Sequence, residues 1–173
     1  MRSSVIAVLC LLCLAGGVCA DLTDSYVMMS GPTEIIPGET YTFSFWVQCA
    51  SPDGEGIADV HVSFPDGYTL YPGTMAYDEI VAGTPSWDMF VPLINHTAIW
   101  EDSDGGTGEI LAGEGTTIYI DGIVGVISYG TPIFWCIQGD GAGAGSHEVC
   151  GCVQIAVIPV EAMSWTTIKS LYR

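Results

Sequence analysis

Four acidic side chains crowd one short, glycine-rich segment of the sequence, and carboxylates in that pattern can bind calcium. The segment 100–109 reads Trp-Glu-Asp-Ser-Asp-Gly-Gly-Thr-Gly-Glu, and its acids are Glu101, Asp102, Asp104 and Glu109. Calcium prefers several hard oxygen ligands around one point, which alternate acids followed by glycine and a later Glu can supply. The pattern is not that of an EF-hand loop, since its third acidic position is missing. The segment is a candidate calcium site, with a solvated acidic loop as the alternative.

Four cysteines beyond residue 20 could form disulfides or bind a metal: Cys49, Cys136, Cys150 and Cys152. An even count in an exported chain favours two disulfides, with three pairings open. The zinc alternative would add His147 to Cys150 and Cys152, but that spacing is not a usual finger or ribbon pattern. Cys136 and Cys150 stand seven residues either side of Gly143. We therefore predict that these two pair across a hairpin, or that one of them bonds to Cys49.

The sequence offers little that points to catalysis. Asp53 and Glu55 could form the carboxylate pair of a glycosidase, but a chain with 20 acids brings some pair together by chance. The histidines His61, His96 and His147 show no shared metal-ligand spacing, and no Gly-x-Ser-x-Gly motif is present. We expect no enzyme, and a small secreted hydrolase is the least favoured alternative.

Tryptophans provide a second route to binding. A sugar-stacking surface could be built from Trp46, Trp87, Trp100 and Trp135. Trp46 alternates onto the face opposite Phe43 and Phe45, so both faces of that segment carry aromatic residues. Packing under a loop is the alternative interpretation for Trp46, and the exposure of Trp46 and Trp100 distinguishes the two.

The charge of the chain excludes one class of partner. It has 20 Asp and Glu against 3 Lys and Arg, a formal net charge of −17, and no Lys or Arg between positions 21 and 163. A purely acidic body cannot neutralise phosphates, so nucleic acid and anionic membranes are poor partners. Such a surface suits cations or simply maintains solubility.

The two ends of the chain differ from its body. Residues 1–20 have a basic start, an apolar run and Val-Cys-Ala before the expected cleavage point, as in a signal peptide. No later apolar segment reaches the length needed to span a membrane. Residues 21–158 form the expected domain, and 159–173 a linker and tail. Within the tail, 164–173 is predicted to form a short helix with Lys169 and Arg173 near its C-terminal end.

Most of the body shows the period-two alternation of β-strands. Positions 41–49 and 57–64 alternate clearly, and 132–138 and 147–158 flank the glycine-rich stretch 139–145 as a long hairpin. Roughly seven to nine short strands separated by turn signals predict an all-β fold, an antiparallel two-sheet sandwich of immunoglobulin-like architecture.

Two runs and the tail carry a resemblance to a known module. Residues 47–68, which contain Ser-Pro-Asp-Gly-Glu, a strand and Phe-Pro-Asp-Gly, resemble an immunoglobulin-like module of secreted proteins from environmental bacteria. Residues 137–151 are similar to the closing hairpin of that module. The tail looks like the terminal Trp-x-x-Ile-Lys-x-x-Tyr-Arg peptide of many such proteins, matched by Trp165, Ile168, Lys169, Tyr172 and Arg173. The resemblance implies an extracellular β-sandwich with a sorting or attachment peptide and no known catalytic residues.

These observations predict a secreted or surface-attached, non-catalytic module with a structural or adhesive role. Protein or cell-surface partners are expected, and no cofactor other than calcium. A calcium-dependent or carbohydrate-binding module is the first alternative function.

Overall fold

The computed structural model describes residues 22–52, 54–80, 86–92, 96–106, 108–125, 132–141 and 147–158. The expected signal peptide and the C-terminal tail lie outside these ranges. Among the described residues no helix is long and apolar enough to cross a membrane. The described strands are β1 Tyr26–Gly31, β2 Glu34–Ile35, β3 Thr40–Gln48, β4 Ile57–Ser63, β5 Tyr68–Tyr77, β6 Trp87–Phe90, β7 Thr97–Asp102, β8 Gly115–Val124, β9 Ile133–Gly139, β10 Glu148–Val153 and β11 Ala156–Val157.

Two antiparallel sheets form the body of the fold. One has the strand order β1-β3-β8-β5 and the other β10-β9-β4-β7-β6, while β11 pairs in parallel with the short β2. An immunoglobulin constant-type sandwich has strands A, B, E and D in one sheet and C, F and G in the other. Here β1, β3, β8 and β5 occupy the first set, and β4, β9 and β10 the second. The hairpin β6–β7 extends the second sheet beyond β4. The predicted immunoglobulin-like sandwich is confirmed.

Alternation along the strands builds the core between the sheets. In β8 every second side chain is buried and the others are half-buried, and β3 and β4 repeat the pattern. An aromatic cluster fills one part of the core, with the Phe43 and Phe64 ring centroids 5.1 Å apart and those of Phe64 and Tyr68 5.4 Å apart. Edge-to-face and tilted contacts of this kind stabilise a core beyond the area that they bury.

Candidate functional site

The predicted acidic segment forms a tight turn at the end of β7. The Asp102 Oδ1 atom accepts hydrogen bonds from the backbone N–H groups of Asp104 (2.8 Å) and Gly105 (3.0 Å). Asp104 Oδ1 in turn accepts a bond of 2.9 Å from the Gly106 N–H. Asp side chains commonly accept a hydrogen bond from the backbone N–H two residues further along the chain. Such a bond stabilises a turn that needs no glycine at its first position. The turn holds two carboxylates on one side of the loop.

Glu109 completes a group of three carboxylates. One oxygen from each of Asp102, Asp104 and Glu109 lies within 4.8 Å of the others, and Glu109 Oε2 accepts a 2.7 Å bond from the Ser86 N–H. Glu101 does not join them, because adjacent side chains of a strand point to opposite faces. Glu101 is exposed and lies opposite Asp88 of β6 in the strand register. The prediction of four clustered acids is therefore wrong for Glu101.

The protonation equilibria of this cluster are unequal. The Asp104 N–H bond, with a further one from Gly105, lowers the pKa of Asp102. Burial raises the pKa of Glu109, and the negative charges of Asp102 and Asp104 raise it further, against the lowering effect of the Ser86 N–H. Repulsion among three close carboxylates is the condition that a bound divalent cation would relieve.

The cysteines give one disulfide in the described part of the chain. Cys136 of β9 and Cys150 of β10 face each other in the strand register, with Cα atoms 4.1 Å apart, and are bonded. This confirms the pairing predicted from their symmetric placement about Gly143. The expectation of a second disulfide is wrong: Cys49 is buried and its thiol donates to the Glu55 carbonyl (3.3 Å), whereas the free Cys152 is exposed. The alternative pairing through Cys49 and the zinc hypothesis fail too, because Cys150 is already bonded.

A buried acid–base contact joins two residues far apart in sequence. Glu55 Oε1 lies 2.6 Å from His147 Nδ1, with the Glu55 side chain fully buried and that of His147 36% exposed. A Cβ atom at Gly139 would overlap the Glu55 carboxylate, so only glycine leaves room for it. Glu55 therefore contacts His147, the residue that precedes β10. The proposed carboxylate partner Asp53 lies outside the described residues.

Three of the four candidate stacking tryptophans belong to the core. Trp87, Trp100 and Trp135 are at most 8% exposed, and Trp87 Nε1 donates to the Ala58 carbonyl at 2.6 Å. They cannot stack on a sugar, so the four-residue platform is wrong. Trp46 is half-buried on the outer face of the four-stranded sheet, beside the exposed Met28 in the register.

The outer face of the five-stranded sheet carries two adjacent rows without an acidic residue, a feature that the sequence analysis missed. We call these two rows the acid-free face. The first row crosses all five strands as Cys150, Cys136, His61, Ile99 and Phe90, and the second crosses four as Cys152, Phe134, Ser63 and Thr97. Phe134 is 56% exposed and Phe90 39% exposed. The sequence shows which positions of β4, β7 and β9 face outward. It does not show which of these positions lie next to one another, because that depends on the order of the strands in the sheet.

Comparisons with known proteins bear on the fold. No protein-family model matches the chain, and the search of curated proteins also gave no match. Among solved structures, the major pilin subunit BcpA of Bacillus cereus matches with a TM-score of 0.53 and 11% identity, over 78% of this chain and 40% of BcpA. The major pilin SpaD of Corynebacterium diphtheriae gives a TM-score of 0.52 and 9% identity, over 74% of this chain and 34% of SpaD.

An adhesin has a similar fold. The N-terminal domain of the Streptococcus gordonii adhesin Sgo0707 matches with a TM-score of 0.51 and 11% identity, over 80% of this chain and 34% of that chain. This chain thus covers less than half of each of these three proteins. At such identities the likeness concerns the fold, and it agrees with the immunoglobulin-like strand order derived from the sheet topology.

Proposed function

We propose that this protein is a secreted or surface-attached, non-catalytic β-sandwich module with a structural or adhesive role, acting on protein or cell-surface partners. The acid-free face carries this proposal. Interfaces between proteins are depleted of charged residues at their centres and enriched in aromatic ones. On a chain of net charge −17, two acid-free rows with exposed phenylalanines provide a surface on which an acidic molecule can approach another.

Charge placement strengthens this argument. The row next to the acid-free face contains Glu148, Asp59, Glu101 and Asp88. An uncharged, partly aromatic patch beside a charged margin is compatible with the anatomy of a protein interface, whose centre is depleted of charge and whose rim stays hydrated. The similar folds of two pilins and an adhesin support a role in attachment or assembly.

The contact between Glu55 and His147 fits a structural role for Glu55. Glu55 and His147 contact each other directly, and the Glu55 side chain is fully buried. A general acid or base must reach its substrate, directly or through one water. Glu55 instead links the loop after β3 to the first residues before β10, which is a structural task.

Cell-surface retention tests the proposal. Phe90→Glu would place a charge on the acid-free face, whereas Leu111→Glu does so on a loop, and both side chains are 39% exposed in the native protein. We expect Phe90→Glu to shift the secreted protein from the cell-bound to the medium fraction several-fold and Leu111→Glu to leave it unchanged. Equal retention of both variants and the native protein would contradict a role for this face.

The ends of the chain belong to the same proposal. Residues 1–20 would direct export, and 164–173 would act as a sorting or attachment peptide after the domain 21–158. Deleting 164–173 should leave the thermal unfolding midpoint nearly unchanged and alter the distribution between cells and medium. A deletion that unfolds the protein would assign the tail to the fold instead.

A calcium-dependent form of this module is the second candidate function. The grouping of Asp102, Asp104 and Glu109 within 4.8 Å favours it, since oxygen ligands from a preformed turn need little reordering to bind calcium. Carbohydrate is the weaker alternative ligand, because Trp46 is the one member of the predicted platform that stays partly exposed.

A further inference from the structure

Three cysteines share the outer side of the β9–β10 hairpin, and two of them are placed to compete for the third. Cys150 and Cys152 are two residues apart in β10, so their side chains point to the same face. Cys150 lies opposite Cys136 and is bonded to it, whereas Cys152 lies opposite Phe134 and is an exposed thiol. Parity along the strand does not choose between the two. Another contact must fix which of them bonds to Cys136.

That contact is on the inner side of the same strand pair. Trp135 faces Gly151 in the register, and a Cβ atom at Gly151 would overlap the indole ring, lying 2.8 Å from Trp135 Cε2 and nearer still to Cζ2. Real side chains do not reach such distances, so the indole occupies the space that a side chain at position 151 would need. The other inward residues of β10 are Val149 and Val153, both packed against the core.

Shifting the register therefore meets an obstacle in either direction. A shift of one residue would exchange the inner and outer faces of β10 and expose its valines. A shift of two residues keeps the faces, but it places Val149 or Val153 against Trp135, where only glycine fits. The shift that brings Cys152 opposite Cys136 is the one that brings Val153 onto the indole.

We infer that Trp135 and Gly151 form a register lock that fixes the pairing of Cys136 with Cys150 and keeps Cys152 out of that bridge as a thiol. Without a shift, Cys152 and Cys136 are diagonal neighbours with Cα atoms about 7–8 Å apart, beyond the usual reach of a disulfide. An external disulfide can report which cysteine is free, because the Cys152 thiolate attacks one of its sulfurs and forms a mixed disulfide. The second sulfur leaves as a thiolate and takes a proton from water.

The first experiment uses the oxidised exported protein, without residues 1–20 and their three cysteines, and oxidised glutathione as the external disulfide. Peptide mapping with tandem mass spectrometry should find one glutathionyl group per chain, on Cys152, with the Cys136–Cys150 bond retained. Glutathione on Cys136 or Cys150, together with a new bond from Cys152 to either of them, would overturn the inference.

The second experiment asks what the lock does when Cys150 is removed. In Cys150→Ser the lock is intact, and we expect Cys136 and Cys152 to stay as separate thiols under mild oxidation. Adding Trp135→Leu frees space for Val153 and should raise the Cys136–Cys152 bond at least about tenfold, as expected for relief of an overpacked position. Phe134→Leu is the matched control in the Cys150→Ser background, since Phe134 lies on the outer face, and it should release no such bond. Efficient Cys136–Cys152 bonding in Cys150→Ser alone would refute the lock even if the Trp135 variant folds poorly.

Discussion

Removal of the Cys136–Cys150 bridge should destabilise the sandwich by an amount that follows from the loop it closes. The two residues are 14 apart in sequence. A loop of this size restricts the unfolded chain by about 3 kcal/mol in the chain-entropy account. For a protein of this length, each kcal/mol lowers the unfolding midpoint by roughly 2–4 °C, so Cys136→Ser/Cys150→Ser should lose about 6–12 °C. Cys152→Ser, on the same face but outside the bridge, should leave the midpoint unchanged.

Differential scanning calorimetry of the native protein and both variants, with and without a reductant, measures this effect. The reductant should lower the native midpoint towards that of the double variant and leave the double variant where it is. A loss of unfolding free energy below about 1 kcal/mol would refute the reasoning. The strands β9 and β10 would then already be paired in the unfolded ensemble, or the cross-link would not restrict the unfolded chain. An equal loss in Cys152→Ser would show that the thiol, not the bridge, matters.

Two further predictions concern titration and calcium. Burial raises the pKa of Tyr68 from 10.0 to about 12, and the residue is 1% exposed. As the pH rises, the phenol therefore loses its proton in the unfolded chain before it does so in the folded protein. The free energy of unfolding should then fall between about pH 10 and pH 12, by up to about 2.7 kcal/mol. Urea unfolding should show a flatter decline in Tyr68→Phe but not in Tyr71→Phe, and identical slopes would contradict the assignment. Millimolar calcium should raise the unfolding midpoint, less so at acidic pH where Glu109, with its raised pKa, is protonated. Calorimetry should find that rise abolished in Asp102→Asn/Asp104→Asn. The rise should be kept in Glu101→Gln, because the Glu101 side chain points to the other face of β7. A rise that survives the double change would exclude the cluster as the calcium site.

The strands that alternate cleanly could be predicted from sequence, and the irregular ones could not. The strands β3 and β4 have one buried and one partly solvated face, so the period of two is visible. Strand β1 was missed because its exposed positions include Tyr26 and Met28, which removes the polar half of the pattern. Strand β5 runs through Pro72 and Gly73, two residue types that normally interrupt a strand. The sheet instead accommodates this dipeptide with a register shift between Tyr71 and Ala76.

The sequence predicts which acidic residues lie near one another, but not the directions of their side chains. Asp102, Asp104 and Glu109 are near one another in sequence, so a turn could bring them together. That Glu101 lies outside the cluster follows only from the extent of β7. This strand continues to Asp102, so the side chains of Glu101 and Asp102 point in opposite directions. The contact of Glu55 with His147 had no sequence signal, because 92 residues separate them and only the packing of β10 beside β9 and β4 unites them.

The cysteines show most clearly where sequence reasoning ends. Symmetry about Gly143 placed Cys136 opposite Cys150, and the register confirms it. Strand parity does not explain why Cys152 stays unbonded, because a shift of two residues preserves every inward and outward assignment. The deciding fit is between a large indole and a missing side chain at position 151, and it becomes visible only when the strands are paired. A glycine that the pattern marks as an interruption of a strand is thus the residue that fixes its register, and with it the chemical state of a thiol on the opposite side of the sheet.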